Sequence, residues 1–303
     1  MEINDIRKII EQQLKENKNL ELDDLQKKLN QIRDMENRKP IPEFEGYSAE
    51  DMHHIMYFTF KANCPLQIKP LKEEEYLKMP IVNQIRYLAE IINREGGLKL
   101  TDTGNLPIKV VKELYEQGYL KEKYIDIGIV KLNNENASNF IKLAKHLIQL
   151  SGIAKKEKNK LILTKKSKNI LNENSSLFQA IFSAYTEKMN WAFFDYYGDH
   201  NIGQLAYGFS LILLSKYGNV KRLDQFYAEK YITAFPALLN NIPSKEYRTR
   251  EYGAYHCYSF RTFNQFLKYF GLITIEEEGI IPDKKTFINK TDLFDLLFEI
   301  SKP

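Results

Sequence analysis

At 303 residues the chain exceeds the usual size of one domain, and 43% hydrophobic with 28% charged residues is the balance of an ordinary globular protein. A net charge of +4 excludes a uniformly basic nucleic-acid coat, and two cysteines far apart, Cys64 and Cys257, exclude a disulfide framework or a zinc ribbon. The first residues lack a basic stretch followed by an apolar core, and the longest apolar run, 206–214, is too short for a bilayer, so neither a signal peptide nor a membrane span is expected and a reducing, cytoplasmic setting fits.

In chain order, Ile3, Ile6, Ile10 and Leu14 recur at helical spacing, as do Leu25, Leu29 and Ile32. Two amphipathic helices with charged outer faces follow, ended by the breaker Lys39-Pro40-Ile41-Pro42. Ser48 and Asp51 form a capping-box variant opening a helix to about Phe58, and Cys64-Pro65 and Lys69-Pro70 enclose an extended segment. Ile81, Ile85, Leu88 and Ile92 line one face of a helix that begins at Pro80 and stops at Gly96-Gly97. A short strand over 98–101, a turn with Asn105 as N-cap, and a helix buried through Ile108, Val111, Leu114 and Tyr115 come next, closed by Gly118. The alternation in Tyr124-Ile-Asp-Ile-Gly-Ile-Val130 reads as a strand, and 138–150 as a helix.

The segment 155–168 carries seven lysines against one glutamate, a local +6 that leaves the rest of the chain at −2. Its apolar residues predict two short strands, a charged turn and a helix. Helix, strand, helix, helix, strand, wing, strand is the order of a winged helix, although the 19 residues at 119–137 are far more than the three or four that ordinarily join its last two helices. The second half predicts buried helices over 176–197, 202–217 and 223–240, then a hairpin from Phe270-Gly271 to Thr291. That end repeats a device already used at Gly152 to Thr164, and in simpler form at Gly97 to Thr101: helix, glycine, strand, threonine, helix. The expected fold is α+β and predominantly helical, with an N-terminal helical arm (1–40), a linker and short helix (41–79), a winged-helix-like domain (80–172), and a helical domain with a C-terminal β-hairpin (173–303).

The phrase Gly97-Leu-Lys-Leu-Thr-Asp-Thr-Gly-Asn-Leu-Pro107 resembles one shared by an uncharacterised group of bacterial proteins with winged-helix-like modules. The resemblance extends from about Gly46 onward. It implies a fold relationship and brings neither an activity nor catalytic residues.

Three clusters carry candidate chemistry. Lys155, Lys156, Lys158, Lys160, Lys165 and Lys166, with Lys142 and Lys145 on the preceding helix, could neutralise a phosphate backbone. The bland reading is a hairpin kept soluble by lysine, and Glu276-Glu277-Glu278 on the second hairpin shows that the device tolerates either charge. Arg248 and Arg250, interleaved with tyrosines through Arg261, could stack bases or form a packing seam. Glu187, Asp195, Asp199 and His200 could share a helix face, but no second element converges on them, so no metal or cofactor is expected. His256 beside Cys257 is a nucleophile pair only on paper, and no phosphate-loop or nucleophile-elbow motif occurs. The leading expectation is a non-enzymatic nucleic-acid-binding protein; the alternative is a scaffold that holds a protein partner on its amphipathic and aromatic helices.

Overall fold

The computed structural model describes residues 22–242, 249–279 and 284–303. The helix expected from Ile3 to Leu14 and the candidate Arg248 lie outside the described residues. The chain divides into a smaller unit, residues 1–67 with 300–303, and a larger one, residues 68–299.

In the smaller unit, α1 (Leu22–Asn37) ends before Lys39-Pro40, and α2 (Ala49–Tyr57) opens on a complete capping box. The Ser48 hydroxyl accepts from the Asp51 backbone N–H, and the Asp51 carboxylate accepts from the Ser48 N–H at 3.0 Å. Met52 and Ile55 form the buried face of α2. The Tyr47 hydroxyl donates to the carbonyl of Ser301, and its burial pushes its pKa up to about 12.

The larger unit is α+β and predominantly helical, and it uses one topology twice. The first module runs α3 (Pro80–Arg94), β1 (Leu98–Lys99), α4 (Ile108–Glu116), α5 (Asn139–Leu150), β2 (Ala154–Glu157) and β3 (Lys160–Leu163). Its strands are antiparallel in the order β1-β3-β2. Helices α6 (Ser167–Asn172) and α7 (Asn174–Ser183) follow. The second module repeats the order: α8 (Tyr207–Tyr217), β4 (Arg222–Leu223), α9 (Asp224–Ala234), α10 (Arg250–Ser259), β5 (Ile273–Glu278) and β6 (Lys285–Lys290), with α11 (Asp292–Leu297) beyond. Its sheet order, β4-β6-β5, matches the first.

Local signals set most of these boundaries. Pro80 occupies the start of α3, where its missing N–H costs nothing, and Ile81, Ile85, Leu88 and Ile92 are all at most 1% exposed. Each such side chain contributes about 1.5–3 kcal/mol by leaving water. Ser138 caps α5 by accepting from Ile141 N–H. The two hairpins end on the same latch. Thr164 donates its hydroxyl to the Gly152 carbonyl at 2.6 Å and its N–H to Ile153 O, while Thr291 donates to Gly271 O at 2.8 Å and to Leu272 O. Glycine, strand and threonine therefore recur because they close the same backbone circuit. The simpler copy at Gly97 to Thr101 is no separate hairpin: it supplies the third strand, with Leu98 opposite Leu161.

Four expectations are corrected. Residues 124–130 form no strand; Lys123–Asp126 is a single helical turn and the rest is loop. Asn105 does not cap α4, whose N-cap position is Pro107. The helix expected to reach Tyr197 ends earlier, passing through a π-helical turn at Ala184–Lys188 before a 3-10 turn at Trp191–Phe194. The second half is more than helices and a hairpin, because Arg222–Leu223 completes a three-stranded sheet.

An aromatic core joins the modules. α10 continues as a π-helical stretch, Phe260–Leu267, and Phe266 stacks on Tyr185 at 5.5 Å while Phe182 meets Phe270 edge-on at 5.1 Å. Phe140 of α5 meets Tyr269 at 5.2 Å. Such pairs contribute about 0.5–1.5 kcal/mol each beyond their area burial.

Candidate functional site: a lysine hairpin and two unlike third helices

The hairpin turns at Lys158 and Asn159, with φ of 46° and 59°. Two left-handed residues make the turn whose twist suits a two-residue hairpin, and Asn is favoured there. Asn159 also ties the turn down, its side-chain amide donating to Thr101 O at 3.1 Å. Lysine is not a residue that this geometry prefers, so Lys158 is not explained by the fold.

The strand register distributes the remaining charge. Lys99 stands directly opposite Lys160, and Lys155, Glu157 and Lys160 share that outer face, whereas Lys156 lies on the other face beside Leu161. Like charges opposite one another are mildly destabilising. Lys155 pairs with Glu157 at 2.5 Å. Lys156, Lys158, Lys160, Lys165, Lys166 and Lys168 are exposed and have no carboxylate within ion-pair distance among the described residues.

The second hairpin is built the same way and wired differently. Lys221 holds Glu276 at 2.6 Å and Glu278 at 2.7 Å, and Lys284 holds Glu277 at 2.6 Å. Its acids are cancelled by neighbours; the lysines of the first hairpin, Lys155 apart, are not.

The two helix lysines expected to support the first hairpin are placed elsewhere. Lys145 is half-buried in an ion pair with Glu135 at 2.9 Å and also donates to Gly104 O at 2.7 Å. Glu135, 3% exposed, accepts in turn from the Leu106 N–H at 2.6 Å. This pair fastens the long 117–138 connection to the turn before α4, and Lys145 is consumed by it. Lys142 lies over Phe193 and Phe194, 5.1 and 5.2 Å from their ring centres, with His146 edge-on to Phe193 at 5.1 Å. Burial there, then the neighbouring Lys145, holds the His146 pKa below its usual value. The polar face of α5 is thus covered by the turn at 191–194.

The third helix of the second module exposes several described side chains. Arg250, Glu251, Tyr252 and His256 are exposed on α10, and Thr249 caps it by accepting from Tyr252 N–H. Arg261, in contrast, is wholly buried. Its guanidinium binds both oxygens of Asp195, at 2.6 and 3.2 Å, and donates to the carbonyls of Gly198, His200 and Ile202. All its donors are satisfied, which a buried cation requires. Asp195 is therefore a clamp on the 195–202 loop. Asp199 accepts from Asn190 instead, Glu187 is exposed, and these carboxylates share no helix face. Among the described residues no group of three His, Cys, Asp or Glu side chains could hold a metal ion. Cys257 is fully buried, and that burial pushes its thiol up to about 12, where little thiolate forms at neutral pH.

Beside the start of α10 lies a cleft of about 680 Å³, walled by Phe194, Tyr196, Tyr197, Tyr252 and Phe260. Glu135, Arg261 and the Phe193-Phe194 cover carry no local sequence signature; only the flanking caps Asn134 and Ser138 hint that Glu135 sits in a fixed turn. No helix among the described residues is long and apolar enough to cross a membrane. No family model, curated protein or solved structure matches the chain.

Proposed function

We propose that the protein binds nucleic acid in the cytoplasm, that its two modules are winged-helix-like, and that the first module's hairpin lies along a phosphate backbone. The observation that carries this reading is the set of six exposed lysines without carboxylate partners, on a hairpin whose counterpart has every glutamate neutralised. Charge left uncompensated at a left-handed turn and in a like-charged cross-strand pair costs stability, so a polyanionic partner gives it a use. The covered face of α5 limits this module to backbone contacts, because base edges are ordinarily read by an uncovered third helix.

The test is reversal of Lys156, Lys158 and Lys160 to Glu, with Lys121 and Lys123 reversed as the comparison. Loss of three phosphate contacts lowers the log–log salt slope by roughly 2–3 units, at about 0.9 per contact on duplex DNA. An unchanged slope in a folded wing variant rejects the reading, as does a wild-type protein that binds no nucleic acid at low salt.

A second reading, a protein partner, is favoured by the insertion between α4 and α5. Tyr124, Ile127 and Ile129 there are 61%, 58% and 69% exposed, a stretch of apolar surface left open by the described residues. Binding through it would change little with salt, whereas phosphate contacts weaken steeply.

A further inference from the structure

The cleft beside α10 belongs to none of the charge arguments above, and its composition is specific. Its walls are rings. Tyr196 is fully exposed, Tyr252 is 47% exposed with His256 packed against it at 4.2 Å, and Phe260 is a further lining ring. Its floor carries charge that is already spent, since both oxygens of Asp195 are held by Arg261. His200 faces the same floor, its Nε2 against Tyr197 O at 2.9 Å, and burial together with Arg261 keeps its pKa below the usual value. Asn139 and Thr249 are also among the lining residues. The site therefore offers aromatic faces and hydrogen-bonding groups, and the carboxylate in its lining, Asp195, is already neutralised by Arg261.

Two further features mark the place as constructed. The loop that carries Tyr196 and Tyr197 is held by five hydrogen bonds from one buried arginine, to the Asp195 carboxylate and to the carbonyls of Gly198, His200 and Ile202, which fix the course of its backbone. Of the two π-helical stretches among the described residues, Phe260–Leu267 begins at a lining residue of the cleft, and Ala184–Lys188 precedes the loop in sequence. Such turns are unstable relative to regular helix and concentrate at functional sites. The volume, about 680 Å³, falls in the range of small-ligand pockets.

We propose that this cleft takes a nucleobase, stacked against Tyr196 and Tyr252, with its edge toward Asn139 and Thr249. A planar heteroaromatic ring with neutral donors and acceptors on its rim matches both walls and lining, and stacking on tyrosine is how unpaired bases are commonly held. The base could be delivered by a free nucleotide or by an unpaired position in a strand. The second source would extend the nucleic-acid reading, whereas the first stands without it.

Calorimetric titration of the full chain with adenosine and cytidine monophosphates, with a short single strand, and with the same strand made abasic separates these cases. The intact strand is expected to bind roughly tenfold or more tightly than the abasic one, and Tyr252→Ala and Tyr196→Ala are each expected to remove most of that difference. Both side chains are exposed and lie on different segments, so two independent folding failures are not expected to mimic the result. Binding of mononucleotides identifies a free nucleotide as a sufficient ligand; preference for the intact strand without it identifies strand binding. Equal affinity for intact and abasic strands, with no mononucleotide binding, overturns the proposal. The triple lysine reversal on the hairpin is expected to leave the base-dependent difference intact. Loss of duplex binding alone thus counts against the hairpin, and loss of the base preference alone counts against the cleft.

Discussion

In the first module the polar face of the third helix lies beneath Phe193 and Phe194 while the hairpin stands clear with unpaired lysines; in the second the hairpin's glutamates are held by Lys221 and Lys284 while the third helix shows Arg250, Tyr252 and His256 to solvent. The backbone solution is common to both, down to the threonine that closes each sheet on a glycine carbonyl. What differs is which side chains are left over after packing. Topology fixes where a helix and a hairpin can stand, and the pairing of charges decides which of them is available to a ligand.

Each module also contains an ion pair reaching from its third helix to a preceding segment, and the two differ in depth. The Arg261 and Asp195 side chains are 0% and 1% exposed, those of Lys145 and Glu135 14% and 4%. Arg261→Ala strands a buried carboxylate and releases three carbonyls, with an expected cost of about 3–5 kcal/mol in urea unfolding. Lys145→Ala is expected to cost less, because water can reach the vacated site. Equal costs would show that depth does not distinguish the two clamps.

The paired glycines sharpen the comparison further. Both are left-handed, with φ of 77° at Gly152 and 70° at Gly271, but a Cβ at Gly152 meets nothing within 4 Å while one at Gly271 comes within 2.7 Å of the Lys78 carbonyl. Gly152→Ala is expected to cost about 1–2 kcal/mol from backbone strain alone. Gly271→Ala adds a clash with backbone that cannot swing aside, for a total of roughly 2–4 kcal/mol. Thermal or urea unfolding of the two variants measures the gap directly. The smallest effect expected is at the latches: Thr164→Val and Thr291→Val each remove one hydroxyl donor and cost about 1 kcal/mol, alike in both modules. A large difference between them would mean that the two latches are not equivalent.

Much of this was legible in short stretches of sequence because the forces were local. Ser48 with Asp51, Pro80 at a helix start, Ser138 before α5 and the Gly-to-Thr hairpins each announce themselves within a few residues. The errors have the opposite cause. Alternation in Tyr124 to Val130 imitates a strand, but no described strand pairs with it, and the chain closes a helical turn instead. The Asn105 cap yields to a turn in which Asn105 N–H bonds to the Thr101 hydroxyl and Leu106 N–H to Glu135, 29 residues away. Arg222–Leu223 is too short to show a period, yet Arg222 opposite Ile288 completes a sheet. The candidate site divides along the same line. The lysine hairpin could be read from composition, whereas the consumption of Lys145 and the union of Asp195 with Arg261, 66 residues apart, depend on tertiary structure.

Trp191 is the single tryptophan of the chain, fully buried, with its indole N–H on the Tyr185 carbonyl at 2.9 Å and its ring 5.0 Å from Phe266. It opens the same turn whose phenylalanines roof α5 on one side and border the cleft on the other. Tryptophan fluorescence of this protein, excited where tyrosine does not absorb, is therefore a one-site instrument placed between its two modules. An emission shift on adding a ligand would report events at that joint, while a ligand held only by the hairpin lysines would leave the emission unchanged.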